Sequence, residues 1–153
     1  MKTWAIGLVV AGWMSWNAAA AAFQSGIAYR VVTPEPLLPV SGGVGASKPS
    51  TKKHGELTVR ALVLAEGNTK VAIVSTDFLG FPSVLGDRVR AQVKGIPAEN
   101  ILIGATHTHS APDCYGFVQN PADFAENLKY LETVVAKTAE AINEAAGNLK
   151  DRK

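Results

Sequence analysis

The sequence predicts an α/β fold: a partial mixed sheet, built from a β-hairpin joined to a parallel βαβ unit, flanked by helices and short of a complete domain. Three observations predict it. Two β-branched apolar runs, residues 57–64 and 70–76, flank Glu66-Gly67-Asn68-Thr69, which is a hairpin signature. The second run, a helix-spaced segment over 82–93 and a third apolar run over 101–106 follow one another within about 37 residues, the span of a βαβ unit. A long amphipathic segment over 123–146 then adds a second helix.

The chain has 153 residues, 47% hydrophobic and 18% charged, a composition that suits one globular domain and argues against a disordered tail. Its first 22 residues are read apart from that domain. Lys2 supplies a basic n-region, residues 5–13 an apolar h-region, and Ala18 to Ala22 several small-x-small cleavage options, which is the layout of a secretory signal peptide. A membrane span is the competing reading, but the uncharged stretch from Thr3 to Gln24 ends in alanines and no stop-transfer charge cluster follows. The expected division is therefore a signal peptide over 1–22 and a folded portion over 23–153, exported to the periplasm or beyond. Removing Lys2 lowers the formal charge from +2 to +1, which gives no argument for nucleic acid or an anionic surface as partner. All three tryptophans, Trp4, Trp13 and Trp16, lie in the leader, so the mature chain is expected to lack indole fluorescence. Cys114 is the only cysteine, so no intramolecular disulfide forms.

Residues 26–32 are rich in β-formers, and Thr33-Pro34-Glu35-Pro36 ends them, because proline cannot donate to a ladder and restricts its predecessor. A short first strand is expected. Over 37–55 the composition shifts to Pro, Gly, Ser and Lys, a loop long enough to be functional or mobile. Its Ser41-Gly42-Gly43-Val44-Gly45 cluster matches neither a P-loop nor a dinucleotide fingerprint, so a flexible turn is preferred to a backbone amide cradle. The run over 70–76 is apolar almost throughout, as expected of a central strand covered on both faces.

The helix over 82–93 rests on Val84, Leu85, Val89 and Val93, with Pro82 and Ser83 at its start and Gly95 past its end. Pro97 to Asn100 turn the chain into the strand over 101–106, parallel to the one over 70–76. The carboxyl ends of these two strands then share an edge, where α/β sheets house ligands. Asp77 leaves one end and His107 the other. In the last helix Leu128, Leu131, Val135, Thr138, Ile142 and Ala145 oppose Lys129, Glu132, Lys137, Glu140 and Glu144, and Gly147 stops it. Residues 148–153 read as too short and polar for another element.

His107 and His109 hold the most chemistry. On an extended backbone residues i and i+2 share a face, so both imidazoles look into one pocket. Three readings follow: zinc ligands, a metal-free acid/base pair, or strand-end residues with satisfied hydrogen bonds. A catalytic zinc site needs about three protein ligands and a water position. Further candidates are Asp77, able to orient an imidazole; Asp113, able to cap the next turn; Cys114, as thiolate or buried packing; and His54, in a lysine-rich loop. None completes a metal site.

Residues 26–34, Ser41-Gly42-Gly43, residues 60–64, residues 71–77, Arg88-Val89-Arg90 and Ala105-Thr106-His107-Thr108-His109-Ser110-Ala111-Pro112 together resemble the amino-terminal part of the neutral/alkaline non-lysosomal ceramidase family. The likeness is specific in the His-Thr-His-Ser motif and in the order of the blocks. It implies an exported zinc amidase that hydrolyses the N-acyl bond of ceramide to sphingosine and fatty acid, with Zn2+ as cofactor and a ceramide-like lipid amide as substrate. It further implies His107 as the first zinc ligand and His109 as a catalytic neighbour that contacts substrate or assists proton transfer. Peripheral membrane contact stays open as a further interaction. Family members usually carry glycine where Ala111 stands. They are several hundred residues long and take a second histidine, a glutamate and a tyrosine from beyond this stretch. Residues 23–153 are thus expected to be the amino-terminal portion of such a catalytic domain and inactive alone.

A second function, of another class, is an exported non-catalytic module that binds lipid or protein in the crevice around Gly42 and His107. A serine hydrolase built on Ser110 finds no nucleophile-elbow pattern.

Overall fold

The hairpin organises the sheet. Strand β3 (Thr58–Glu66) pairs antiparallel with β4 (Thr69–Thr76), and the Glu66↔Thr69 register leaves Gly67-Asn68 as a two-residue turn. Gly67 takes φ 56 there, a positive value that only glycine adopts cheaply. On one side β1 (Gln24–Val31) runs antiparallel to β3; on the other β5 (Ile101–Ala105) runs parallel to β4. The computed structural model describes residues 22–43, 47, 49–117 and 121–152. The expected signal peptide, apart from Ala22, and the central part of the glycine-rich loop lie outside the described residues.

The two helices follow the predicted periodicity except at Val84 and Leu128, which are 64% and 46% exposed, and the first ends at Arg90, short of Val93. Helix α1 (Ser83–Arg90) starts after Pro82, whose φ of −56 suits the position before a first turn, and buries Leu85 and Val89. Helix α2 (Pro121–Gly147) lies across β1 and β3 and packs beside α1. The layer between them holds Val59, Val63, Val74, Val134, Val135 and Ile142, all fully or nearly fully buried. Burying such side chains contributes about 1.5–3 kcal/mol each before entropy is counted. Close approach needs a bare backbone at Gly26, where a methyl group would meet the Ala145 carbonyl at 2.0 Å. Tyr130 Oη donates to the Val32 carbonyl at 2.7 Å and Lys137 Nζ to that of Val31 at 2.8 Å, pinning α2 to the end of β1. No described helix is long and apolar enough to cross a membrane.

Three findings depart from the sequence reading. First, the strand over 70–76 is covered on one face only among the described residues. Ile27, Leu62, Ile73 and Leu102 are register partners across four strands, and Ile27, Ile73 and Leu102 are 69%, 42% and 63% exposed. A continuous apolar run marks a strand whose two faces are both apolar; it does not supply the layer that covers the second. Secondly, residues 148–153 do add an element: β7 (Lys150–Asp151) joins the outer edge of β1. Side chains hold it there, through Gln24 Nε2 donating to Asp151 Oδ1 (2.9 Å) and Arg152 Nε to Ser25 Oγ (2.7 Å). The main sheet thus has the order β5-β4-β3-β1-β7. Thirdly, the loop over 37–55 is partly regular. Its β2 (Val40–Ser41) pairs antiparallel with β6 (Ala111–Pro112), through Val40↔Pro112 and Ser41↔Ala111. That small ladder fastens the glycine-rich loop to the segment that carries the histidines.

Candidate functional site

Strands β4 and β5 end level with each other, at Thr76↔Ala105, because they are parallel. The pairing continues one step further, Thr106 N donating to the Thr76 carbonyl at 2.9 Å, while Thr76 Oγ1 donates to Gly104 O at 3.0 Å. The segments that leave this edge, from Asp77 and from His107, therefore start side by side, as the βαβ reading required.

Beyond the edge the backbone bends. His107 has φ 62, the only positive φ of a non-glycine residue among those described. The left-handed region costs an L-residue roughly 1–2 kcal/mol, and such strain collects where side-chain direction matters. Its Nδ1 lies 2.7 Å from the Leu79 carbonyl oxygen. A carbonyl only accepts, so Nδ1 carries the proton, and in the neutral ring the Nε2 lone pair remains available.

His109 is set differently. Its ring lies on the backbone of Gly42, where a methyl group would come within 2.7 Å of Cγ and 2.9 Å of Nδ1. Gly42 itself has φ 112, so two independent constraints call for glycine there. The two imidazoles meet edge to face, centroids 5.2 Å apart and planes at 78°, and both residues are exposed. The expected juxtaposition is present, but a left-handed bend at His107 produces it, not the alternation of an extended strand.

The remaining candidates take structural roles. Asp77 does not orient an imidazole: its Oδ2 accepts from Thr58 N (2.9 Å) and Thr58 Oγ1 (2.7 Å), and Oδ1 lies 3.5 Å from an Arg60 guanidinium nitrogen. The group that orients His107 is the Leu79 carbonyl, which a sequence cannot flag. Asp113, buried, caps the next turn as expected, Oδ1 accepting from Tyr115 N at 2.9 Å, while its carbonyl accepts from Asn127 Nδ2 at 2.6 Å. Cys114 is buried and donates from Sγ to the Gly80 carbonyl at 2.9 Å. Burial pushes its thiol pKa up, and the charge of Asp113 adds to this, so it is a packed thiol and not a thiolate ligand. His54 is exposed and lines a depression of about 330 Å³ with Lys52, Lys53 and Ser110, to which neither His107 nor His109 contributes. Ser110 is held by its own backbone N–H on Thr108 Oγ1 (3.3 Å), a local turn. A roomier cavity of about 800 Å³ lies on the open sheet face among Ile27, Tyr29, Leu62 and Ile73, away from both histidines.

As a metal centre the arrangement fits in part. His107 has the features of a first ligand: one ring nitrogen anchored to a backbone carbonyl and the other free, with the backbone constrained to aim it. Among the described residues no three His, Cys, Asp or Glu side chains are grouped to hold an ion.

No protein-family model matches the chain, and no curated protein does. Solved structures do, two ceramidases among them. A ceramidase complexed with C2 shares 23% sequence identity at a TM-score of 0.68, and neutral ceramidase from Pseudomonas aeruginosa shares 22% at 0.65. Each match covers 86% of this chain and 22% of the other, so the chain spans about a fifth of their length. At this identity the likeness concerns architecture: the mixed α/β fold of this chain is ceramidase-like.

Proposed function

We propose that the chain supplies the first part of the active centre of an exported, zinc-dependent amide hydrolase acting on N-acyl lipid amides of the ceramide type. The observation that carries the reading is His107: a strained residue whose Nδ1–H is fixed on the Leu79 carbonyl and whose Nε2 is left free. The ceramidase-like fold and the facing His109 support it. In this reading His107 is the first zinc ligand, and the remaining ligands come from residues outside the described part of this chain. Zinc, when bound, would polarise the amide carbonyl and lower the pKa of a bound water. His107 holds its ring in one tautomer and orientation. His109, stacked on Gly42 beside the ligand, delivers a proton to the departing amine nitrogen as the C–N bond breaks and water adds to the carbonyl carbon. Loss of the Gly42 contact frees that ring to rotate.

Zinc titration of the purified chain, followed through its three histidine ring signals by NMR, tests the assignment. Weak binding is expected, with His107 the most perturbed signal and with the effect abolished in His107→Ala but retained in His109→Ala. Perturbation confined to His54, or none at millimolar zinc, overturns it. Robust amide hydrolysis by this chain, lost on chelation and restored by zinc, overturns the claim that it holds only part of the centre.

A further inference from the structure

Two aromatic side chains near the histidines have no part in the core. Tyr115 and Phe117 stack with centroids 5.6 Å apart and planes at 21°, and they are 48% and 57% exposed. The core has its own aromatic cluster in the same region: Phe78 is fully buried, edge to face with Phe81 at 6.2 Å and tilted against Tyr130 at 6.2 Å. The stacked pair is therefore surplus to packing.

Its position is fixed relative to His107. Leu79 O accepts from His107 Nδ1, and the next residue, Gly80, takes Cys114 and the first member of the pair: its carbonyl accepts from Cys114 Sγ, and its bare Cα receives the Tyr115 phenol. A methyl group on Gly80 would meet Tyr115 Oη at 1.8 Å. The imidazole and the phenol are thus anchored to consecutive residues, whose Cα atoms are about 3.8 Å apart. From His107 to Phe117 the only acidic or basic side chain besides the histidines is Asp113, which is buried and turned inward onto Tyr115 N. The loop thus presents a neutral surface ending in two aromatic faces, which suits an uncharged apolar chain and offers no partner to an ionic one.

We infer that Tyr115 and Phe117 form the platform for the apolar acyl portion of the substrate, and so select for chain length at the His107–His109 site. This rests on the amide-hydrolase reading and adds its specificity-determining residues. Stacking supplies rigid apolar area at small conformational cost, since each ring has two side-chain torsions.

The test uses two probes on the purified chain, N-octanoylethanolamine and N-acetylethanolamine, titrated and followed by NMR at the aromatic and histidine ring signals. The octanoyl amide is expected to perturb Tyr115, Phe117 and the two histidines, and to bind about tenfold more weakly to Phe117→Ala or Tyr115→Ala. Tyr115→Phe, which keeps the ring, is expected to bind like the parent, so a fold defect in Tyr115→Ala is recognised. The acetyl amide is expected to show no dependence on these variants. Unchanged octanoyl affinity in Phe117→Ala and Tyr115→Ala, or equal affinity for the two amides, overturns the inference even when zinc still perturbs His107. Octanoyl binding at Tyr115 and Phe117 with no zinc response at His107 supports the platform and sinks the hydrolase reading instead.

Discussion

Gly42 lies against the imidazole of His109, so close that a Cβ at position 42 would sit 2.7 Å from the ring. Two residues far apart in sequence are brought together by the β2–β6 ladder, which lies one residue from Gly42 and two from His109. Gly42→Ala is therefore expected to displace the His109 ring and leave His107 in place, since His107 is anchored separately on Leu79. The φ of 112 adds strain, for a total cost on the order of 1–3 kcal/mol. Thermal unfolding measures the cost, and histidine ring shifts report which imidazole moved. A shift at His107 with none at His109 would contradict the geometry.

The left-handed backbone of His107 makes a second prediction. His107→Ala and His107→Gly both remove the imidazole and its bond to Leu79 O, so the difference between them isolates the backbone term. His107→Gly is expected to be the more stable by about 1 kcal/mol, because glycine takes φ 62 without penalty. Chemical denaturation of both variants measures this. Equal stabilities would mean that the bend relaxes once the ring is gone, and that His107 is not held under strain.

Much of the fold was legible because its signals are local and repeated. The hairpin announces itself in Gly67-Asn68 between β-branched runs, and α2 in the spacing of Leu131, Val135, Thr138 and Ile142, all buried or packed inward. Two-residue strands carry no period, so nothing in the sequence marks β2, β6 or β7. The Gly42-Gly43 pair was a usable signal that something passes close to that backbone, but nothing nearby in sequence names His109 as the neighbour. The His-x-His spacing located the site, whereas the sign of φ at His107 and the carbonyl that orients it are tertiary facts. Asp77 misled because adjacency at a sheet edge does not decide which way a carboxylate turns: toward Thr58 N–H and Oγ1, two donors on the neighbouring strand, it gains bonds that an exposed imidazole does not offer.

Cys114 sets an alkaline limit. Burial holds its thiol above the ordinary value near 9.0, with the Asp113 charge acting in the same direction. Below that value the folded and unfolded chains both carry the neutral thiol. Above it the unfolded chain releases the proton first, so the folded state loses stability as pH rises from about 9 toward the raised pKa. Cys114→Ser keeps a donor for Gly80 O without an ionisable group, and is expected to flatten the stability profile above about pH 9. Native Cys114 is also expected to resist alkylation by iodoacetamide at pH 8 until denaturant is added. Rapid labelling of the folded chain at that pH would show the thiol to be accessible and the assignment as packing wrong.

The open face of the sheet separates two neighbouring residues of β4 that the sequence does not distinguish. Val74 points into the layer under α2 and is nearly fully buried, while Ile73 lies in the row with Leu62 and Leu102 and is 42% exposed. Val74→Ala removes two buried methyl groups, for a cost of roughly 2 kcal/mol. Leu102→Thr and Ile73→Thr keep strand-compatible side chains at positions already in contact with water, and each is expected to cost less than about 1 kcal/mol. The same two changes are expected to lower binding of a hydrophobic dye, because they interrupt an apolar row that crosses β1, β3, β4 and β5. Urea unfolding and dye fluorescence read the two effects independently. If Leu102→Thr destabilises the purified chain as much as Val74→Ala does, the face is covered in solution. The row Ile27–Leu62–Ile73–Leu102 would then be a second core in that assembly.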